Sequence, residues 1–242
     1  MKLTPSIILP DSHKRKNSIL FLLFCLLPFV ASAETRISGI LSLSAEKKLN
    51  NHFDLNLAEE VRFLDNAILF ERNVTSIGLD YSFFERRLKV GGYYAFLYLY
   101  NDDAPKYNDA PRFEARHRYY FNLSYKETIN RWTFSWRGRW QVTHRDETIG
   151  QYKINPKQIL KNKFQIEYSI WGRPWKPFIS CDLYSDLNNP DGNYLTRIRY
   201  QAGTSWRLNR TDYLNFFARY DQYIDRRESG VIALGVGYKL NW

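Results

Sequence analysis

From residue 36 to the C-terminus, apolar and polar side chains alternate in blocks of about 10–15 residues. A period of two specifies strands; a helix would repeat every 3.6 residues. Residues 131–145 show it most clearly. Trp132, Phe134, Trp136, Gly138, Trp140 and Val142 fall on one face. Thr133, Ser135, Arg137, Arg139, Gln141, Thr143 and Arg145 fall on the other. Phe113, Ala115, Tyr119, Phe121, Leu123 and Tyr125 oppose Glu114, Arg116, Arg118, Asn122, Ser124 and Lys126 in the same way. The last block sets Ile232, Leu234, Val236, Tyr238, Leu240 and Trp242 against Ala233, Gly235, Gly237, Lys239 and Asn241. Residues 87–100 are apolar at both parities, so the pattern leaves their orientation open.

A soluble sandwich alternates too, but these blocks exceed the usual strand of five or six residues. They match the roughly 9–11 residues that cross a bilayer as a tilted strand. Aromatic residues make up 17% of the chain and crowd the apolar parity. Energetics then assigns the faces. An Arg facing lipid at mid-membrane costs about 2–4 kcal/mol. Several such residues would exceed a domain's whole net stability. Arg62, Arg116, Arg118, Arg137, Arg139, Arg197, Arg199 and Arg219 are therefore expected inside a barrel, with Glu114, Glu167 and Asp182 among their partners. The negative mean hydropathy fits, because lipid-facing and lumen-facing residues average out.

Connections alternate between short and long, the known asymmetry of periplasmic turns and extracellular loops. Trp132, Trp171, Trp175, Trp206 and Trp242 all sit beside a short turn or the C-terminus, as a periplasmic aromatic girdle would. Eleven strands can be counted: 36–48, 52–64, 73–84, 87–100, 112–126, 131–145, 159–171, 175–187, 194–208, 212–225 and 230–242. Bacterial single-chain barrels have even numbers. The expectation is thus ten strands, with 36–48 outside the regular wall, or twelve, with two strands merged. The fold class expected is an antiparallel transmembrane β-barrel of 10–12 strands.

The N-terminus sets the compartment. Lys14, Arg15 and Lys16 precede an apolar run from Ile19 to Val30 and then Ala31-Ser32-Ala33. That is the layout of a secretory signal peptide, with cleavage between Ala33 and Glu34. The apolar run is too short for a membrane-spanning helix, which needs about 20 residues. Residues 1–33 then form the signal and 34–242 a single barrel domain. Cys181 alone remains in it, so no internal disulfide forms.

Short blocks of the sequence resemble a known family. They are Leu43-Ser44-Ala45-Glu46-Lys47-Lys48-Leu49, Leu57-Ala58-Glu59-Glu60-Val61-Arg62, and Ile77-Gly78-Leu79-Asp80-Tyr81 with Lys89-Val90-Gly91-Gly92-Tyr93. Arg116-His117-Arg118, Trp136-Arg137-Gly138-Arg139-Trp140 and Thr196-Arg197-Ile198-Arg199-Tyr200-Gln201-Ala202-Gly203 complete the set. Together they are similar to a family of bacterial outer-membrane barrels catalogued as a domain of unknown function. The resemblance covers nearly all of residues 34–242. It implies an outer-membrane barrel and no established activity. Tyr238, Leu240 and Trp242 separately look like the C-terminal signal read by the barrel-assembly machinery. The expected partners are that machinery and outer-membrane lipid.

No motif carries a reaction. His117 and His144 share the apolar parity of neighbouring strands, which suits an interface better than a catalytic pair. Asp102, Asp103 and Asp109, and Asp182, Asp186 and Asp191, flank two loops without calcium-loop spacing. No cofactor or metal is implied. The net charge of +10 does not indicate nucleic acid, because the basic residues alternate along strands and line an interior. The leading expectation is a structural or binding barrel whose lumen is closed by salt bridges. The alternatives are a narrow anion-preferring pore, an outer-membrane enzyme, and an exported soluble glycan-binding β-protein.

Overall fold

The computed structural model describes residues 36–64, 69–100, 113–145, 154–190, 192, 194–224 and 230–242. The expected signal sequence, its expected cleavage site at Ala33 and Glu34, and Asp102, Asp103, Asp109 and Asp191 lie outside them. Eleven strands follow in order: β1 (Arg36–Lys48), β2 (Phe53–Leu64), β3 (Leu69–Phe83), β4 (Leu88–Tyr100), β5 (Phe113–Ile129) and β6 (Trp132–Arg145). Then come β7 (Lys157–Tyr168), β8 (Trp175–Asp186), β9 (Tyr194–Arg207), β10 (Asp212–Tyr223) and β11 (Val231–Asn241). They close into one barrel, each strand pairing with its sequence neighbours and β1 with β11.

The expected choice between ten and twelve strands is corrected. The segment 36–48 takes a full place in the wall, and no two strands are merged. Ten reversals leave β11 pointing the same way as β1, so the closing pair is parallel, from Arg36↔Val231 to Glu46↔Asn241. Odd-stranded closure is documented among mitochondrial barrels. The seam is completed at the C-terminus. The Trp242 N–H donates to the Glu46 carbonyl at 3.0 Å, and the Lys48 N–H to the Trp242 carbonyl at 2.8 Å. Closure leaves no unpaired sheet edge to recruit another chain.

Observed strand limits depart from the expected ones for local reasons. β5 runs on to Ile129 because Thr128 and Thr133 hydrogen-bond across the hairpin at 3.1 Å. Asn130 then turns the chain at φ 57°, which Asn tolerates well. β3 starts at Leu69, upstream of the expected residue 73. A register shift between Arg62 and Phe63 absorbs Glu71 and brings Arg72 opposite Arg62.

The parities fall as expected. Exposed large apolar side chains of the strands, among them Leu41, Leu57, Ile77, Phe121, Trp140, Phe164, Ile179 and Leu234, stand on the outer face. The Trp132–Trp140 and Ile232–Trp242 faces also lie outside and pack into no core, so a soluble sandwich is not the architecture. Inside, Asp54, Glu114, Asp182, Asp186, Arg199 and Asp221 are buried.

β4 takes the orientation that sequence leaves open. Lys89, Gly91, Tyr93, Ala95, Leu97 and Leu99 point in. Ala95, Leu97 and Tyr120 form a small apolar core with Val74, Tyr93 and Leu99. Glycines create the room. A Cβ on Gly78 would fall within the Tyr93 ring, and one on Gly91 would strike the Asp80 carboxylate. Register sets Gly78 opposite Tyr93 and Asp80 opposite Gly91. The motifs Ile77–Tyr81 and Lys89–Tyr93 thus form one unit: Tyr93 lies over Gly78 and its hydroxyl donates to Asp80 at 2.7 Å.

Candidate functional site

The lumen is the part of the barrel with chemical content, and its polar groups form two layers. One lies at the short-turn end. Asp54, with 0% exposure, accepts from the Arg86 guanidinium through both oxygens and from Lys89 Nζ at 2.8 Å. Lys89 reaches Glu46 at 3.3 Å, and Glu46 also pairs with Lys239 at 2.7 Å. This network joins β1, β2, β4, β11 and the turn holding Arg86. Phe84, Glu85 and Arg86 all have positive φ in that turn, a conformation L-residues resist.

The second layer fills the middle and the long-loop half. Arg199 makes a two-pronged pair with Asp221 at 2.5 and 2.6 Å, and Arg197 approaches the same carboxylate at 3.5 Å. Arg62 pairs with Glu60 at 2.6 Å, and Arg116 with Glu114 at 2.6 Å. Tyr184, 6% exposed, is the hub. Arg197, Lys161 and Arg199 stand over its ring at 3.9, 4.9 and 5.2 Å, the geometry of cation–π attraction.

The expected inward residues are brought together only in part. Lysines take several of the carboxylates: Lys161 holds Asp182 at 2.8 Å, Lys157 holds Asp186 at 2.9 Å, and Lys176 lies 3.7 Å from Glu167. Four of the expected arginines then have no ion pair among the described residues. Arg118 donates to the Thr143 hydroxyl at 3.0 Å, and Arg139 to the Asn122 side-chain oxygen at 2.8 Å. Arg139 also lies 4.0 Å over Tyr120, which stacks on Tyr93 at 4.8 Å. Arg219 has Nε and Nη1 buried without a hydrogen bond. Arg137 makes neither hydrogen bond nor ion pair there. These groups sense each other: Arg118 lies within electrostatic range of Arg62, Arg72 and Arg139. The expected mutual neutralisation of the lumen is therefore corrected. Strand pairing brings basic residues opposite one another, as at Arg62↔Arg72 and Arg137↔Lys163, and acids are too few to separate them.

Sequence reasoning missed Arg72, Lys89, Lys161 and Tyr120. Arg72 lies between the strands that alternation defines, and Lys89 in the strand of open orientation. Lys161 and Tyr120 have the inward parity, but alternation alone gives them no partner.

Outside the barrel, the expected tryptophans gather at the short-turn end. Trp175 stacks on Trp206 at 4.8 Å, Trp132 meets Tyr168 at 4.7 Å, and Arg131 lies 5.7 Å from the ring of Trp171. Trp242 stands half-exposed beside the seam. Tyr238 donates to Asp212 at 2.8 Å, and Leu240 pairs in register with Asp212. A second aromatic group, not foreseen, marks the long-loop end. Phe113 contacts Tyr98 at 5.4 Å, Tyr100 at 5.7 Å and Phe70 at 6.4 Å. His117 and His144 are cross-strand partners on the outer face, where Tyr94 shares a 2.7 Å hydrogen bond with His117. Phe96 and Tyr119 flank the pair, which thus belongs to an aromatic patch.

A family model described as "Protein of unknown function (DUF2490)" matches residues 40–233. No curated protein matches the chain. Among solved structures, the translocator domain of the autotransporter NalP from Neisseria meningitidis is similar at 9% identity and a TM-score of 0.31. That alignment covers 72% of this chain and 70% of the other.

Proposed function

The chain belongs to the DUF2490 family of proteins of unknown function, and from that premise we propose that it is an integral outer-membrane barrel. Its lumen is closed by its own side chains, and it serves a structural or binding role. The observation that carries the reading is the inverted surface. Outside the small apolar core around Leu97, large apolar side chains such as Leu57, Ile77 and Phe121 face out, while Asp54, Asp182, Arg199 and Asp221 are buried inside. Water penalises exposed apolar patches beyond a few hundred Å², and lipid rewards them. Aliphatic residues such as Leu57 and Ile77 lie between an aromatic group at each end, as headgroup-level belts require. The Trp-rich end is then the periplasmic one.

Eleven strands lie between the eight that side chains just fill and the sixteen that leave an open channel. Glu46 of β1 gathers Lys89 from β4, three strands away, and Lys239 from β11, so inward side chains meet beyond neighbouring strands. A second reading, a narrow anion-preferring pore, is favoured by the four arginines without carboxylate partners. Planar-bilayer recording separates the two. The closed barrel is expected to give no sustained single-channel steps at protein loads where an open porin conducts. Steady anion-selective steps, lost when Arg137 and Arg139 are both changed to Glu, would replace the closed-lumen reading with the pore.

A further inference from the structure

We propose that the cavity beside Arg137 and Arg139 binds a small free oxyanion of the phosphate class. The cavity measures about 220 Å³ and lies inside the wall; Asn56, Ser76, Asn122 and Lys239 also line it. A space of that size holds several waters or one small oxyanion, at ~30 Å³ per water.

The lining carries Arg137, Arg139 and Lys239 against Glu46, and the Asp80 carboxylate behind it accepts from Tyr93 at 2.7 Å and Asn56 at 3.1 Å. Arg137 has no hydrogen bond or ion pair among the described residues. Arg139 has the neutral amide of Asn122 and the ring face of Tyr120. Lys163 is the register partner of Arg137, and each senses the other's charge. Asp182, the register partner of Lys163 on β8, is held by Lys161 at 2.8 Å. Glu46 lines the cavity too, but Lys89 and Lys239 neutralise it. Neighbouring cations without counter-charge are costly in a low-dielectric interior, and an anion between them reverses the sign of that energy.

The donor set selects the anion. Two guanidinium forks match an oxyanion bidentately, which a monatomic ion cannot exploit. The amide nitrogen of Asn122, whose oxygen accepts from Arg139, supplies a further donor. Both arginines keep partial exposure, so their guanidinium groups are not sealed in the wall.

This inference rests on the closed-lumen reading. Conduction by the unmodified barrel would refute that reading, while calorimetry decides the site separately. The test is isothermal titration of the folded barrel in detergent micelles with sodium phosphate, with sodium chloride at matched ionic strength as the second arm. The expected result is saturable phosphate binding and none from chloride. Arg137→Gln with Arg139→Gln should weaken it by about tenfold or more, since hydrogen bonds to charged groups are lost. If that double variant does not fold, Arg137→Lys keeps the charge but loses the fork, and should still weaken binding several-fold. No saturable heat with phosphate, equal heats with chloride, or full affinity in a folded Arg137 variant would overturn the proposal.

Discussion

Replacing Asp54 with alanine is expected to lower the stability of the barrel by about 3 kcal/mol. Removing one partner of a buried ion pair costs about 3–5 kcal/mol, because the other charge is left stranded. Asp54 is fully buried and receives two cations, Arg86 and Lys89. Those keep side-chain exposures of 29% and 24%, so water relieves part of the loss and the lower figure applies. The effect should also be structural. Without Asp54 the turn at Phe84, Glu85 and Arg86 loses its charged anchor, and Arg86 keeps only the Asn51 carbonyl at 2.9 Å. Lys89 would keep only Glu46, which it shares with Lys239. Urea unfolding in micelles, followed by tryptophan fluorescence, measures the change. Asp54→Asn should fall between wild type and alanine, because an amide still accepts a hydrogen bond. An unchanged midpoint for Asp54→Ala would show that the network does not hold the short-turn end.

The second large effect concerns Asp221. Its partner Arg199 is 5% exposed, so Asp221→Ala strands a guanidinium with little access to water. The expected loss is about 3–5 kcal/mol. Removing both charges tells more. Well-packed apolar replacements for a buried pair are often neutral or stabilising. Asp221→Leu combined with Arg199→Met should therefore recover most of the loss of the single change. A double-mutant cycle reads the coupling directly. If the double variant is as unstable as Asp221→Ala, then Arg199 is held by Tyr184 and the remaining lumen, and the pair with Asp221 is secondary. Arg197 touches the same carboxylate at 3.5 Å and limits the recovery.

The barrel itself is written in the sequence at strand level, for one physical reason. Wherever an arginine alternates with an aromatic, as at Arg137 and Arg139 between Trp136 and Trp140, only one face tolerates lipid. The eleven blocks and their orientation follow from that. β4 escaped because its interior positions, Tyr93, Ala95, Leu97 and Leu99, are themselves apolar. Part of the lumen is packed with carbon, a choice that alternation cannot express. The parallel seam between β1 and β11 escaped for another reason. It joins the two ends of the chain, and neither strand's pattern names its partner. Generic counting pointed to an even barrel, against the pairing that Glu46 and Trp242 in fact make.

The lumen was half legible. Parity identified Arg118, Arg137, Arg139 and Arg219 as interior, but not which carboxylates they would reach. That depends on register, which sets Lys163 opposite Asp182 and Arg137 opposite Lys163. A slip of one residue would change every such neighbour. Register also explains the glycines. Gly78 and Gly91 look like weak points in strands until Tyr93 and Asp80 are placed opposite them.

The central claim is that this chain spans the outer membrane as a closed barrel. The most direct measurement is electrophoretic mobility of the protein from a purified outer-membrane fraction, loaded unheated and boiled in detergent. A folded barrel resists detergent until heated, so the account predicts that the protein pellets with that fraction and shifts mobility on boiling. Recovery in the periplasm or medium, with the same mobility under both conditions, would contradict it.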